Sequence, residues 1–322
     1  MDTLFIDRKG TQLDVDAGRL LLRIPDTARP VSLPLKQLRF VAVSASVTLS
    51  SQVLLALSLA DITLVFLHPR KADQSVVVNG FGHGAVARRL QQARVVQDVD
   101  FCLRLARELV RGKLVGYYRV VWRCRRRRSD LRRPLSQLLL QLREIYGRLD
   151  QANTLDALRG YEGAAAAAWF SGFARLLPPH WQFDGRKRRP PPDPVNAMLS
   201  LTYTLLQGEA VRALTAHGLD PALGTLHEPS YGRASLACDL VELLRAEVDE
   251  WVLELMKQVF RPVHFGHPEP GVCLLNKEGR ALFFPLYQVR AQRWRARCRY
   301  LAWYFVTRLE VSNGSSLSVC RS

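Results

Sequence analysis

Four side chains in the second half of the chain could together bind one divalent metal ion: Glu162, His227, Asp239 and Glu242. Asp239 and Glu242 are three residues apart, so on a helix they share a face. Carboxylate oxygens with an imidazole nitrogen form a hard, mixed donor set that suits Mg²⁺ or Mn²⁺ when water and phosphate oxygens complete the shell. Such an ion neutralises charge on a phosphoryl group, so these residue types indicate phosphodiester chemistry.

Residue types alone leave a second interpretation open. A buried histidine is more often a hydrogen-bonded core residue than a ligand, and Asp239 and Glu242 could simply pair with Arg233 or Arg245. Other chemistries are not supported, because residues 80–84 lack the spacing of a phosphate-binding loop and there is no Gly-x-Ser-x-Gly motif of a serine hydrolase.

The net charge of the chain indicates which class of molecule it binds. Of 322 residues, 46 are Lys or Arg and 29 are Asp or Glu, which gives a net charge of +17. A positive field of this kind attracts polyanions, and arginine suits phosphate because its planar group donates two hydrogen bonds at once. Nucleic acid is the expected partner. The arginine block at residues 123–133 is either a solvated, partly disordered loop or a DNA phosphate contact.

The spacing of the cysteines and the hydropathy of the chain indicate the cellular compartment of the protein. The six cysteines are scattered without the spacing of a zinc finger or a disulfide framework, which favours reduced thiols. No run of about 18 apolar residues could cross a membrane, and the N-terminus lacks the basic start and apolar core of a signal peptide. We expect a soluble, cytoplasmic protein without a membrane partner.

Periodicity predicts two domains that would position these side chains. Residues 1–84 show short extended segments with frequent turn residues, which indicates an N-terminal all-β, sandwich-like domain used for dimerisation, with one helix at residues 50–59. Helical spacing dominates residues 85–311, a larger all-α catalytic domain. Residues 312–322 are small and polar and are predicted to be a disordered tail.

Within the predicted catalytic domain, two helices carry the acidic residues. Glu162 lies in a predicted helix at residues 154–177, and Asp239 and Glu242 lie in one predicted helix at residues 235–260, which contains neither proline nor glycine. Residues 276–279 are expected in a hairpin-like or loop insertion, followed by a basic helix at residues 288–308.

Four motifs occur in the order found in one known family. They are LRGYEG at residues 158–163, a segment from Phe183 through RRPPPDPVNAMLS ending at Ser200, LH at residues 226–227 with GRASL at 232–236, and DLVE at 239–242. With these motifs the chain resembles the CRISPR-associated adaptation integrases of the Cas1 family. The resemblance extends over nearly the whole chain. Cys238 departs from it, because the family usually has an aliphatic residue before the aspartate.

The resemblance implies a function. Glu162, His227 and Glu242 match the metal ligands of the family, for Mg²⁺ or Mn²⁺, and Asp239 matches the companion acid that supports them. It further implies a homodimer, two of which are bridged by a dimer of the small Cas2 protein into a hetero-hexamer that holds a double-stranded DNA fragment. Each 3′-hydroxyl of the fragment would attack a phosphodiester of the CRISPR repeat, which adds a spacer for antiviral defence.

Two sets of arginines are predicted DNA contacts. They are the block residues Arg125, Arg126 and Arg127 and the motif residues Arg186, Arg188, Arg189 and Arg233. A non-catalytic DNA-binding scaffold of the same fold would share this charge. A stand-alone nuclease that repairs branched DNA would share the metal site as well.

Overall fold

The computed structural model describes residues 3–60, 62–67, 75–78, 86–187 and 190–317, with side chains up to residue 310. The N-terminal strands are β1 Thr3–Ile6, β2 Gln12–Asp16, β3 Arg19–Arg23, β4 Val31–Pro34, β5 Phe40–Val43, β6 Thr48–Leu49, β7 Thr63–Phe66 and β8 Val76–Val78. Helix α1, Ser51–Leu59, lies in the chain between β6 and β7.

The eight strands form two mixed sheets. In the first, β5 is parallel to both β1 and β7, and β8 pairs antiparallel with β7. In the second, β3 is antiparallel to β2 and β4, and β6 is parallel to β2. The prediction of an all-β domain is therefore only partly right. Parallel neighbours such as β5 and β7 need a crossover connection, and α1 supplies part of it.

The rest of the described chain is mostly helical. The helices are α2 Val86–Val95, α3 Val99–Arg127, α4 Arg132–Arg148, α5 Leu155–Leu176, α6 Pro194–Ala216, α7 Ser235–Glu242, α8 Arg245–Gln258 and α9 Lys277–Leu317. A hairpin of β9 Phe265–Glu269 and β10 Val272–Leu275 interrupts them, so this part is not all-α as predicted.

The helix predicted at residues 235–260 is two helices. The chain tightens between α7 and α8, where the amides of Leu243 and Leu244 bond to carbonyls three residues back, at 3.2 and 2.9 Å. Tertiary packing explains the break. A Cβ added at Gly112 of α3 would lie 2.5 Å from the side chain of Leu243, and one at Gly116 would lie 2.9 Å from Ala246. The two short helices can thus both approach α3 closely.

Three further predictions are corrected. The hairpin lies at β9 and β10, not at residues 276–279, and Gly271 adopts a φ of 74° in its turn. Asn276 instead caps the start of α9, where its side-chain oxygen accepts a hydrogen bond from the Gly279 amide at 2.8 Å. The predicted tail is helical up to Leu317, because no proline stops α9 there and each added residue gains a backbone bond; residues 318–322 lie outside the described ones. The arginine block is not a disordered loop: it spans the end of α3, a single 3₁₀ turn and the start of α4.

The sheets and the helices share buried contacts. The side chains of Phe40 and Val65 lie close to Gly208 of α6, since a Cβ added there would lie 3.1 Å from each of them. The buried Arg295 of α9 donates to Glu209 of α6 at 2.7 Å and to the hydroxyl of Thr3 in β1. The division into domains at residue 84 lies outside the described residues and stays a prediction.

A buried carboxylate in the helical core gives the first testable prediction. Asp249 of α8 accepts hydrogen bonds from the Trp169 indole at 2.8 Å and from the Tyr203 hydroxyl. Burial raises the pKa of Asp249 from 3.8 to about 6. The folded state therefore holds this proton more tightly than the unfolded state, so stability falls as the pH rises from about 4 to about 6.

Asp249→Asn should remove this contribution. The free energy of unfolding of the variant minus that of wild type should be larger, that is more stabilising, near neutral pH than at about pH 4, by on the order of 3 kcal/mol. Urea denaturation at both pH values measures it. An equal difference between the two proteins at both pH values would show that Asp249 titrates normally.

Candidate active site

Asp239 organises one side of the site. Its side chain is fully buried in α7 and accepts the backbone amides of Thr225, Leu226 and His227 at 2.7, 3.1 and 3.0 Å. Its Oδ1 also lies 2.7 Å from Nδ1 of His227, which leaves Nε2 as the free ring nitrogen. Asp239 thus holds both the loop and the imidazole. Gly224 allows this approach, because an added Cβ would lie 2.6 Å from the His227 carbonyl.

The three predicted metal ligands converge from three elements. Glu242 follows Asp239 by one helical turn on α7, and its Oε1 lies 4.0 Å from His227 Nε2. Glu162 comes from α5 and faces the same centre. The Glu242 side chain is buried, whereas those of Glu162 and His227 are 23% and 22% exposed. The site is therefore open to solvent on the side of Glu162 and His227.

Lys113 completes the centre, and the sequence did not single it out. Its ammonium donates to Glu242 Oε2 at 2.6 Å and to Glu162 Oε1, joining two carboxylates that are 129 and 49 residues away in the chain. The side chain of Lys113 is 2% exposed. One signal was available, because a lysine directly before the buried Leu114 on α3 stands on a core face, where a cation is almost never unpaired.

A second cation acts on the same carboxylate. Arg245, at the start of α8, forms an ion pair with Glu242, with Nε 2.6 Å from Oε2, and lies over the ring of Tyr203. Burial raises the pKa of Glu242, but the charges of Arg245 and Lys113 outweigh burial and hold the pKa well below its ordinary value. The pairing with Arg245 left open by the sequence thus occurs for Glu242. It does not occur for Asp239, which bonds to the His227 loop instead.

The carboxylates and the imidazole suit a hard divalent ion. In the described part of the chain, no three His, Cys, Asp or Glu side chains stand close enough to enclose a metal ion as they are. The reason is visible, because the Lys113 ammonium lies between Glu162 and Glu242, where a cation would bind. Two carboxylates already gathered around a positive charge, with an imidazole oriented by Asp239, fit the requirements of Mg²⁺ or Mn²⁺.

A cavity of about 970 Å³ opens beside His227. Three cations line it, namely Arg186, Arg233 and Arg245, together with Tyr203 and Tyr231. Arg186 is held by Asn196 Oδ1 and Ser200 Oγ, at 2.9 and 3.0 Å. The wall of the cavity is therefore positive and rich in hydrogen-bond donors, as a phosphate-binding surface requires.

Three of the other predicted DNA contacts lie away from this cavity. Arg188 and Arg189 fall outside the described residues. Arg125, Arg126 and Arg127 form the last turn of α3, at the far end of the helix that carries Lys113. Arg125 donates to Ser136 Oγ at 2.7 Å, and Arg126 lies over the ring of Trp122. These three arginines are not part of the cavity.

Comparison with known proteins identifies the family. Residues 4–289 match the family model described as CRISPR associated protein Cas1. The chain belongs to the Cas1 family. The resemblance carried by the four sequence motifs is thus confirmed.

Two curated relatives, both named CRISPR-associated endonuclease Cas1, support the assignment to this family. That of Thermodesulfovibrio yellowstonii is 36% identical and covers 98% of this chain and 100% of its own length. The relative from Thermus thermophilus is 34% identical, and the alignment covers 89% of this chain and 86% of the relative.

Solved structures share the Cas1 fold. A Cas1 protein from Thermotoga maritima superposes with a TM-score of 0.81 at 22% identity, over 96% of this chain and 97% of its own. A casposase bound to its integration product superposes with a TM-score of 0.80 at 19% identity, over 95% of this chain and 91% of the casposase chain. A Cas6-RT-Cas1–Cas2 complex gives 0.83 at 21% identity, over 96% of this chain and 35% of that chain. Among the described helices, none is both long and apolar enough to cross a membrane.

The position of Lys113 gives the second prediction. Lys113→Ala should remove the ammonium partner of Glu162 and leave the buried Glu242 with Arg245 alone, which costs about 1–3 kcal/mol of the free energy of unfolding in the metal-free protein. Urea denaturation in the presence of a chelator measures the loss. Combining the change with Glu242→Gln should cost less than the sum of the two single changes, because the variants share one interaction.

Lys187→Ala is the matched control. The Lys187 side chain is 56% exposed and pairs with Asp184 on the surface, so its removal should cost less than about 1 kcal/mol. Equal losses for the two lysine variants would contradict a structural role of the buried ammonium.

Proposed function

We propose that this Cas1 protein is a metal-dependent DNA integrase and endonuclease of CRISPR adaptation, which inserts short DNA fragments into the CRISPR repeat array. One observation carries the proposal: Glu162 of α5 and Glu242 of α7 share the Lys113 ammonium, and Nε2 of His227 lies 4.0 Å from the Glu242 carboxylate. The positive cavity beside this centre would accept the DNA backbone. The curated relatives named endonucleases support the class of activity.

Glu162, His227 and Glu242 would bind Mg²⁺ or Mn²⁺. A bound ion would neutralise charge developing on the phosphoryl group and polarise the attacking 3′-hydroxyl. Asp239 would keep Nδ1 of His227 engaged so that Nε2 faces the ion. Arg186 and Arg233 would hold the DNA phosphates in the cavity, so that much of the rate enhancement comes from positioning.

The proposed partners follow from the family and its structural neighbours. One neighbour is a complex with Cas2 and another is a Cas1–DNA complex. We propose that this chain forms homodimers, that two of them are bridged by a Cas2 dimer, and that the assembly holds a double-stranded fragment. Co-purification with a Cas2-type protein, or its failure, would distinguish this integrase from a stand-alone repair nuclease.

The third prediction concerns the ligands. Glu162→Ala and His227→Ala should each abolish strand transfer into a repeat-containing plasmid, because each removes a donor to the ion, while DNA affinity stays within a few fold of wild type. The assay uses Mg²⁺ or Mn²⁺ and follows joined products on gels, with DNA binding measured in parallel.

Glu228→Ala is a suitable control, because this neighbouring acid is exposed and pairs only with Arg159 among the described groups. Its activity should match wild type. Integration at the wild-type rate by Glu162→Ala would refute the enzymatic proposal and leave a DNA-binding scaffold.

The fourth prediction concerns Asp239. Asp239→Asn keeps the size of the side chain but removes its charge, which weakens the hydrogen bond to Nδ1 of His227. The affinity of the protein for Mn²⁺ should therefore fall about 10- to 100-fold. Mn²⁺ binding can be measured by calorimetry or electron paramagnetic resonance without any DNA. Unchanged Mn²⁺ affinity would show that Asp239 does not support the ion through His227.

A further inference from the structure

A second cationic surface lies where α3 ends and α4 begins. We define the cationic corner as five exposed arginines on the C-terminal part of α3 and the first turn of α4: Arg119, Arg126, Arg127, Arg132 and Arg133. In the described part of the molecule, none of them pairs with a carboxylate, whereas the adjacent Arg123 and Arg128 are neutralised by Glu250 and Asp130. The corner is therefore uncompensated positive charge on the surface.

Helix stability does not explain all of this charge. Arginines in the last turn of α3, such as Arg127, interact favourably with the negative end of the helix dipole. Arg132 and Arg133 occupy the first turn of α4, at the positive end of its dipole, and that turn contains no acidic residue. Cations there oppose the dipole. Their placement has a cost in stability, which a bound polyanion would offset.

The corner also has one cation that is already ordered. The guanidinium of Arg126 lies over the ring of Trp122, 4.8 Å from its centroid, and the Trp122 side chain is 43% exposed. This stacking holds a positive group at the surface and reduces the entropy lost when it binds a phosphate. Because the guanidinium covers one face of the ring, that face cannot stack on a base. The arrangement favours the sugar-phosphate backbone of a duplex over unpaired bases.

Helix α3 connects the corner to the active centre. Lys113 and Arg127 are 14 residues apart on this helix, so the rise per residue separates them by about 21 Å. Phosphates on one strand of duplex DNA are about 3.4 Å apart along the axis, so this distance corresponds to about six base pairs. A duplex leaving the active centre along α3 would bring its backbone to the corner.

We propose that the cationic corner binds the phosphate backbone of duplex DNA about six base pairs from the reacting phosphodiester. The position of that phosphodiester rests on the proposed function, whereas the duplex contact itself does not. The contact does not depend on base sequence, because arginines that reach only phosphates carry no information about the bases.

The test is a triple variant, Arg127→Gln, Arg132→Gln and Arg133→Gln. Anisotropy of a labelled duplex of about 20 base pairs is measured over a range of KCl concentrations without metal. The slope of log affinity against log salt should become shallower by about 2.7, since each phosphate contact contributes about 0.9. In the cleavage of branched DNA with metal, the variant should lose activity on arms of about 15 base pairs. It should match wild type on arms of about four base pairs, too short to reach the corner.

A second triple variant serves as control: Arg23→Gln, Arg29→Gln and Arg143→Gln. These arginines are also exposed, and the variant removes the same net charge away from the corner. Its salt slope should change by less than one unit. Equal effects of the two triple variants, or a loss restricted to single-stranded DNA, would overturn the proposal. If neither variant nor wild type cleaves DNA, the proposed function fails, and the salt slope still decides whether the corner binds duplex.

Discussion

The contact on which the site depends is one ammonium group between two carboxylates. Lys113 reaches Glu162 on α5 and Glu242 on α7 from its own position on α3, so three helices meet at one buried charge. Burying such charges is expensive, and only close mutual compensation makes the cost tolerable. Arg245 adds a fourth charge on α8. The helices are thus held in register by the two carboxylates that we propose as metal ligands.

The backbone around Asp239 shows how an irregular loop can be made rigid. Three consecutive amides of the His227 loop donate to one buried carboxylate, which also orients the imidazole. A loop of this kind would otherwise sample many conformations, with a cost of roughly 1–2 kcal/mol for each residue that must be ordered on binding. Here most of that ordering is completed during folding.

Asp239 and Glu242 could be predicted from their spacing on one helix, and Glu162 and His227 from their family motifs, because these are local signals. The helical periodicity around Glu162 was likewise sufficient to place it on α5. Lys113 was missed because its role depends on partners 49 and 129 residues away, and no local pattern encodes that contact. The break at Leu243 was missed for a related reason: the glycines of α3 that admit the two short helices lie more than a hundred residues earlier. Parallel strand pairing is similarly non-local, so β5 and β7 appeared as isolated extended segments.

The buried Arg295 bears on how this protein can be divided. It belongs to α9 near the C-terminus, yet it neutralises Glu209 in the middle of the helical part and bonds to Thr3 at the start of the first strand. Expressing the helices without the strands would expose this arginine and remove one of its partners, while Gly208 would lose the cover of Phe40 and Val65. Dividing the chain between the strands and the helices would therefore break buried contacts that both parts share.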